Sequence, residues 1–226
     1  MSDDGSPLLG IDPHHFDDLV ARRRMKREDR QLIPAVTAQL LGSERSPGSR
    51  DALFYPSAGK DIFTPTILGL PYCTQFFFYE RNERIGVPPG RAFADALATR
   101  VDISRSAQGR LLEFDYEGIA RSISVVHSDN FKFLERDVDL AFYFHRGDSP
   151  GEGGSGQEWD SRYLADLGRM VPEGRDCRIV TQGEPGGVRR DVEEQLQLLS
   201  IPGSCQGLDY FVGTLDGAVL RRREGS

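Results

Sequence analysis

Three short and almost wholly apolar runs constrain the fold of this chain more than any other feature of its sequence. They are residues 52–55 (ALFY), 75–79 (QFFFY) and 139–144 (DLAFYF). Strands that are covered on both faces appear as continuous apolar runs of roughly four to eight residues, whereas half-exposed strands alternate. The first run also ends in a Pro-Ser-Ala-Gly breaker. The three runs therefore predict buried parallel strands at the centre of a sheet.

Apolar residues at helical spacing separate these runs along the chain. Such stripes lie at 91–101, 159–170 and 188–199, and a shorter one at 64–70 ends before Pro71. Because strands and helices alternate, the predicted fold class is α/β, with a doubly wound and mostly parallel sheet.

Two antiparallel pairs are predicted in addition. Strands at 110–114 and 122–127 are expected to form a hairpin around a Glu-Gly turn. Near the C-terminus, a strand at 208–215 precedes Asp216-Gly217, which is a tight-turn signal, and a returning strand at 218–222. The sheet is therefore expected to end in a C-terminal antiparallel β-hairpin.

The first fifty residues predict a helical N-terminal extension. An apolar stripe at 32–41 has helical spacing, and the basic run at 22–27 fits a solvated helix face. The segment GSERSPGSR (42–50) has the composition of a linker. We therefore expect a helical extension over 1–50 and a Rossmann-like domain over 51–226.

Charge and cysteine content narrow the classes of partner and compartment. A net charge of −7 disfavours a nucleic acid and leaves a small molecule or a protein as the expected partner. No run approaches the ~18–20 apolar residues of a membrane span, and the acidic N-terminus lacks a signal-peptide pattern. Cys73, Cys177 and Cys205 are far apart, without a CxxC pair, so no zinc knuckle is predicted. No spacing of His127, Asp129 and His145 demands a metal, so no metal site is predicted. These features predict a soluble, cytoplasmic protein.

Four segments follow one another in an order that is typical of a known family. They are YPSAGKD (55–61), Glu80 directly after QFFFY, SVVHSDNFKFL (124–134) and DLAFYFHRGD (139–148). With the terminal hairpin, their order and spacing over 51–223 resemble the class I S-adenosylmethionine-dependent methyltransferases. The resemblance implies a methyltransferase-like fold, S-adenosylmethionine as cofactor, and a small-molecule or protein acceptor for the methyl group.

The resemblance also implies which residues hold the cofactor. Gly59, in the loop after the first strand, would let the backbone approach the methionine end. Glu80, 21 residues later, would accept hydrogen bonds from the ribose hydroxyls. Asp129 and Phe131 would meet the adenine, although Asp129 also fits a turn residue or a helix N-cap. The implied cofactor residues are Tyr55, Ser57, Gly59, Glu80, Asp129 and Phe131.

A glycine-rich segment, HRGDSPGEGGSGQEW (145–159), follows the third apolar run. Gly151, Gly153 and Gly156 satisfy GxGxxG, but five residues separate them from the strand and remove the tight turn that a dinucleotide site needs. A nicotinamide cofactor is therefore not predicted. The segment leaves the carboxyl end of a central strand, where α/β sheets bind ligands. The predicted ligand loop consists of Gly151, Gly153, Gly154 and Gly156.

Three polar residues at the root of this loop are the candidate catalytic residues: His145, Arg146 and Asp148. A general base (His145 or Asp148) beside an anion clamp (Arg146) is a sensible chemical combination. A flexible surface loop beside a satisfied histidine is the alternative. Two other functions stay open. One is a catalytically degenerate domain that binds a nucleotide-like ligand or a protein partner, and the other is a phosphate-ester or nucleotide enzyme with the loop as an anion cradle.

Overall fold

The computed structural model describes most of the sheet and one helix that precedes it. The described residues are 29–40, 46–56, 58–59, 61–81, 100–106, 109–146, 166–183, 199–205 and 208–216.

The described residues form nine strands and three helical segments. The strands are β1 Asp51–Tyr55, β2 Gln75–Tyr79, β3 Val101–Ser106, β4 Gly109–Tyr116, β5 Ile119–Val126, β6 Asp139–His145, β7 Asp176–Gly183, β8 Leu199–Cys205 and β9 Leu208–Asp216. The helical segments are α1 Asp29–Leu40, α2 Phe63–Gly69 and a 3₁₀ helix, Asn130–Glu135. Residues 166–169 add a further helical turn.

These strands lie in a single sheet of order β3-β4-β5-β2-β1-β6-β7-β9-β8. The five central strands, β5-β2-β1-β6-β7, are parallel to one another. Antiparallel pairs extend the sheet at both edges, through β4 and β3 on one side and β9 and β8 on the other. The mostly parallel sheet is confirmed, and the three apolar runs form β1, β2 and β6 at its centre.

The antiparallel hairpin predicted near the C-terminus is confirmed. β8 and β9 pair antiparallel, from Leu199 opposite Val212 to Cys205 opposite Leu208. β8 occupies one edge of β9 as far as Val212, and β7 occupies the other edge. The returning strand predicted at 218–222 lies outside the described residues. Among the described strands, the terminal hairpin is β8–β9.

The other predicted hairpin is β4–β5. Its two turn residues both have positive φ, 54° at Glu117 and 73° at Gly118. Such a pair is what a type I′ turn needs, and the twist of that turn matches the twist of the paired strands. Gly118 N also donates to Asp115 Oδ1 at 2.9 Å, which holds the turn closed. β3 was not predicted and pairs along the outer edge of β4.

Both faces of the sheet are covered, as expected for a doubly wound fold. In β1, Leu53 and Tyr55 belong to the core on the side of α1 and α2, whereas Ala52 and Phe54 belong to the core on the other side. The first core also includes Val36, Ile67, Phe76, Phe78, Phe142 and Phe144. The second includes Phe77, Tyr79, Phe133, Tyr143, Leu167 and Val171.

Helix α1 is the helical part of the predicted N-terminal extension that the structure describes. Leu32, Ile33, Val36 and Leu40 are buried, as their spacing predicted, and they share one apolar cluster with the sheet. The extension therefore packs onto the sheet as part of its core, while the division of the chain at residue 50 stays a prediction. Among the described helices, none is both long and apolar enough to cross a membrane.

Gly69 is expected not to tolerate a side chain, because α2 approaches β1 and β2 closely there. An added Cβ would lie 2.6 Å from Leu53 Cδ1 and 2.9 Å from Phe76 Cε1, both in the buried core. Alanine favours a helix over glycine by about 1 kcal/mol, but overpacking a filled core costs about 1–3 kcal/mol. We therefore expect Gly69→Ala to lower the free energy of unfolding, as measured by urea denaturation.

A compensating substitution checks this explanation. Leu53→Val removes the methyl carbon nearest to the new Cβ, so the Gly69→Ala/Leu53→Val protein should lose less stability than the two single losses added together. A Gly69→Ala protein that is more stable than the wild type would contradict the prediction.

Candidate ligand site at the carboxyl edge of the sheet

The strand order creates a topological switch point beside β1. β2 lies on one side of β1 and β6 on the other, so the chain changes direction across the sheet at this point. In open α/β sheets, ligands bind outside the carboxyl ends of the strands at such a point. β1 ends at Tyr55 and β6 at His145. Tyr55, the first predicted cofactor residue, and His145, the first predicted catalytic residue, therefore lie at the ends of adjacent strands.

The loop after β1 folds back onto the end of β2. Ala58 N donates to Tyr79 O at 2.9 Å, and Asp61 N donates to Ala58 O at 3.0 Å. Gly59 has φ 57°, in the left-handed region that glycine adopts without a steric penalty. A Cβ added at Gly59 would meet no atom of the described residues within 4 Å, so they leave the space beside this turn open.

Two of the predicted cofactor residues are in direct contact. Glu80 Oε2 accepts a hydrogen bond from Gly59 N at 3.0 Å, so the ends of β1 and β2 are bridged. Glu80 N donates to Val126 O at 3.0 Å, which ties the same residue to β5. The side chain of Glu80 is half-buried at this edge. The predicted pair thus converges, while its role toward a cofactor stays a prediction.

Asp129 caps the 3₁₀ helix that follows β5. Its Oδ1 accepts from Phe131 N at 3.0 Å, and its Oδ2 lies 2.5 Å from Arg81 Nη2 in an exposed ion pair. The N-cap alternative for Asp129 is thereby confirmed. Phe131 keeps 41% of its surface exposed, which is unusual for a large apolar side chain. A role for either residue in adenine binding stays a prediction.

Two polar atoms that flank Asp129 are buried and have no hydrogen-bond partner within the described ranges. They are His127 Nδ1 and Asn130 Oδ1. An unsatisfied buried group costs about 1–3 kcal/mol unless water or a ligand bonds to it. Sequence reasoning did not identify either residue as a ligand contact. The available signal was position, since His127 directly follows β5 and Asn130 begins the 3₁₀ helix after it.

His145 ends β6 and is 1% exposed. Its Nδ1 lies 3.4 Å from Thr181 Oγ1 on the neighbouring strand β7. The general-base role of His145 stays a prediction.

The guanidinium of Arg146 is buried between two carboxylates. Nη1 donates to Asp29 Oδ1 at 2.7 Å, Nη2 donates to Asp29 Oδ2 at 3.2 Å, and Nη2 also donates to Asp61. Thr64 Oγ1 donates to Asp29 as well. These contacts favour a structural role for Arg146 over an anion clamp or an anion cradle, and the predicted catalytic role stays untested. Asp29 and Asp61 were missed from the sequence.

Of the seven remaining predicted site residues, the structure describes one, Tyr55. Tyr55 is buried, and its Oη donates to Arg146 O at 2.7 Å, so it links the ends of β1 and β6. The predictions for Ser57, Asp148, Gly151, Gly153, Gly154 and Gly156 lie outside the described residues.

Two cysteines are unsuited to nucleophilic catalysis. Cys73 and Cys177 are buried, and burial raises the pKa of both thiols well above the ordinary cysteine range. Since the thiolate is the reactive form, neither thiol is a nucleophile in the folded protein near neutral pH. In the described part of the chain, no group of three or more His, Cys, Asp or Glu side chains could hold a metal ion.

Comparison with known proteins yields structural matches. No family model matches the chain, and no curated protein matches it in sequence. A candidate methyltransferase complexed with SAH matches with a TM-score of 0.50 at 10% sequence identity, covering 85% of this chain and 50% of that one. A candidate SAM-dependent methyltransferase from Streptococcus mutans matches with a TM-score of 0.52, again at 10% identity, with 85% and 50% covered.

The chain thus spans about half the length of these two structures. At 10% identity the likeness concerns the fold alone. It agrees with the five parallel central strands, the switch point beside β1 and the reversed strand β9 between β7 and β8. The protein therefore has the class I S-adenosylmethionine-dependent methyltransferase-like fold.

Proposed function

We propose that the protein binds S-adenosylmethionine at the carboxyl edge of its sheet and transfers the methyl group to a small-molecule or protein acceptor. The observation that carries the proposal is the contact between Gly59 and Glu80 beside the switch point. These are the positions from which the fold would hold the methionine end and the ribose. Of the two solved structures above, one is complexed with SAH and the other is described as SAM-dependent, which supports this choice of cofactor.

Along this edge of the sheet, successive residues would contact the amino-acid end, the ribose and the adenine of the cofactor. The open space beside Gly59 would admit the amino-acid end. Glu80 would accept hydrogen bonds from the ribose hydroxyls. The exposed ring of Phe131 would cover the adenine, and the buried polar atoms of His127 and Asn130 would bond to its edge.

Methyl transfer asks mainly for positioning from the protein. The bound cofactor would supply an electrophilic methyl group on a sulfonium. The chain would hold the acceptor in line with that group and keep water out. His145, or Asp148 beyond it, would take the proton from an acceptor that carries one.

A catalytically degenerate domain is the second candidate, and the internal contacts of Asp129 favour it. Asp129 already accepts hydrogen bonds from Phe131 N and from Arg81. A ligand would have to compete with these bonds or add to them. Such a domain would bind a nucleotide-like ligand or a protein partner at the same edge without transferring a methyl group.

Calorimetric titration with S-adenosylhomocysteine tests the proposed site. The wild type is expected to bind, and Glu80→Ala is expected to weaken binding by roughly ten- to a hundredfold. Hydrogen bonds to a charged acceptor are worth about 1.5–3 kcal/mol, which corresponds to that range. Glu113→Ala, at an exposed position on β4, is the matched control and should bind as the wild type does.

Glu80→Gln separates binding from loop support. The amide oxygen can still accept from Gly59 N, but it offers the ribose a weaker, neutral acceptor. If Glu80→Gln binds S-adenosylhomocysteine as tightly as the wild type does, then Glu80 only supports the loop and does not bind the ribose through its charge. Failure of the wild type to bind would overturn the proposal. S-adenosylmethionine retained through purification and detected by mass spectrometry would favour the enzyme over the degenerate domain.

A further inference from the structure

Arg146 joins three parts of the fold through one planar group. Asp29 begins α1, Asp61 lies at the end of the loop that leads into α2, and Arg146 itself follows β6. The side chains of Arg146 and Asp29 are 1% and 0% exposed, and that of Asp61 is 16% exposed. The helix of the N-terminal extension is therefore connected to the loop after β1 by buried ion pairs.

Asp61 lies at the end of that loop and takes part in its turn. Its N–H closes the turn on Ala58 O at 3.0 Å, while Ala58 N and Gly59 N are held by the end of β2. One end of the loop is thus attached to β2, and the other end is attached to Arg146. A shift of the Asp61 side chain would be passed to the turn that contains Gly59.

The guanidinium has little freedom to move independently of these partners. The carbonyl of Arg146 accepts from Tyr55 Oη at 2.7 Å, and the guanidinium carbon lies 5.7 Å from the centre of the Phe144 ring. The planar fork meets Asp29 through two nitrogens and Asp61 through one. Because ion pairs in a buried site are strong and the fork is rigid, a change at Asp29 should alter the geometry at Asp61.

We propose that Arg146 is a positioning residue that makes the ligand-binding shape of the loop after β1 depend on the docking of α1. Through Asp61 it holds the loop for the amino-acid end of S-adenosylmethionine, and through Asp29 it transmits the state of α1. The inference rests on the proposed function, because that function assigns the amino-acid end to this loop.

A pair of ligands isolates the effect on the loop. S-adenosylhomocysteine carries the amino-acid end, whereas 5′-methylthioadenosine has the same adenosine and sulfur without it. Asp61→Asn is expected to weaken S-adenosylhomocysteine binding by roughly tenfold and to change 5′-methylthioadenosine binding by less than about twofold. General loosening of the fold would weaken both ligands alike.

Asp29→Asn tests the transmission from α1. Asp29 is fully buried, and among the contacts described above it is linked to the loop only through Arg146. Asp29→Asn is nevertheless expected to weaken S-adenosylhomocysteine binding while 5′-methylthioadenosine binding is retained. Tyr72→Phe is the matched control. It removes the bond from Tyr72 Oη to Leu40 O at the other end of α1, 3.2 Å long, without touching the guanidinium. Its affinity for both ligands should equal that of the wild type.

The outcomes separate the inference from the proposed function. If the wild type binds neither ligand, the proposed function fails, and the inference fails with it. If the wild type binds and Asp61→Asn and Asp29→Asn retain its affinity, or lose both ligands equally, only the inference fails. Because both variants act through one group, the double variant should weaken S-adenosylhomocysteine binding by less than the product of the single effects.

If Asp29→Asn does not fold, Thr64→Val provides the same test. It removes only the hydroxyl that donates to Asp29 and leaves the charge in place. A smaller loss, again selective for S-adenosylhomocysteine, is expected. If Thr64→Val binds each ligand as tightly as the wild type does, the proposed transmission from α1 is wrong.

Discussion

Replacing Arg146 by methionine is expected to lower the free energy of unfolding by about 3–5 kcal/mol, because removing one partner leaves buried charge uncompensated. Asp29 is fully buried and would lose both hydrogen bonds from the guanidinium. Asp61 is 16% exposed and would recover some hydration. Methionine fills much of the same volume, so the loss would reflect charge more than packing. Urea denaturation followed by circular dichroism measures it.

Two further variants identify the cause of that loss. Arg50→Met removes an ion pair with Asp137 of similar length, 2.6 Å, but both side chains are largely exposed, so no measurable change is expected. Adding Asp29→Asn to Arg146→Met removes the stranded carboxylate and should recover part of the stability. A loss in Arg146→Met no larger than in Arg50→Met would contradict the prediction.

The centre of the fold could be predicted because burial on both faces of a strand is visible in its composition. The three apolar runs match β1, β2 and β6 to within one residue at each end. The short helix α2 was predicted for a related reason, since Pro71 cannot continue a helix. Local composition carries this information without any knowledge of the neighbours in the sheet.

The edge strands could not be predicted, because their environment does not impose such a pattern. β8 contains Pro202 and Gly203, which indicate a turn, and the helical stripe was extended to Leu199 at its start. An edge strand tolerates proline because one side of its backbone has no partner, and the register of β8 shifts between Ile201 and Cys205. β3, at the opposite edge, is mostly exposed and has no apolar run.

The candidate site was predictable only where a residue acts from the end of a strand. The spacing of Gly59 and Glu80 predicted that both would lie at the carboxyl edge, and they are in contact. The partners of Arg146 were not predictable in the same way. Asp29 is 117 residues away along the chain, and no local period relates the two positions. Such a contact is decided by how α1 docks on the sheet.

The free energy of unfolding is expected to fall as the pH rises above about 8.5, because burial raises the pKa of the Cys73 and Cys177 thiols. In the unfolded chain both thiols ionise with an ordinary pKa of about 8.5. Above that pH, the unfolded chain has released protons that the folded protein keeps. Each thiol then favours the unfolded state by about 1.4 kcal/mol per pH unit. The stabilisation is complete below about pH 8.5 and is lost as the pH approaches the raised pKa values.

The slope between about pH 8.5 and 10 identifies the thiols, because the buried phenol of Tyr79 and the partly buried phenol of Tyr116 have raised pKa values and contribute mainly at higher pH. Over that interval the wild type should lose roughly 3 kcal/mol from the two cysteines together, as measured by urea denaturation under reducing conditions. Cys73→Ala/Cys177→Ala will be less stable at neutral pH, but its stability should change far less with pH. Equal slopes in the two proteins would mean that the buried thiols are not the cause.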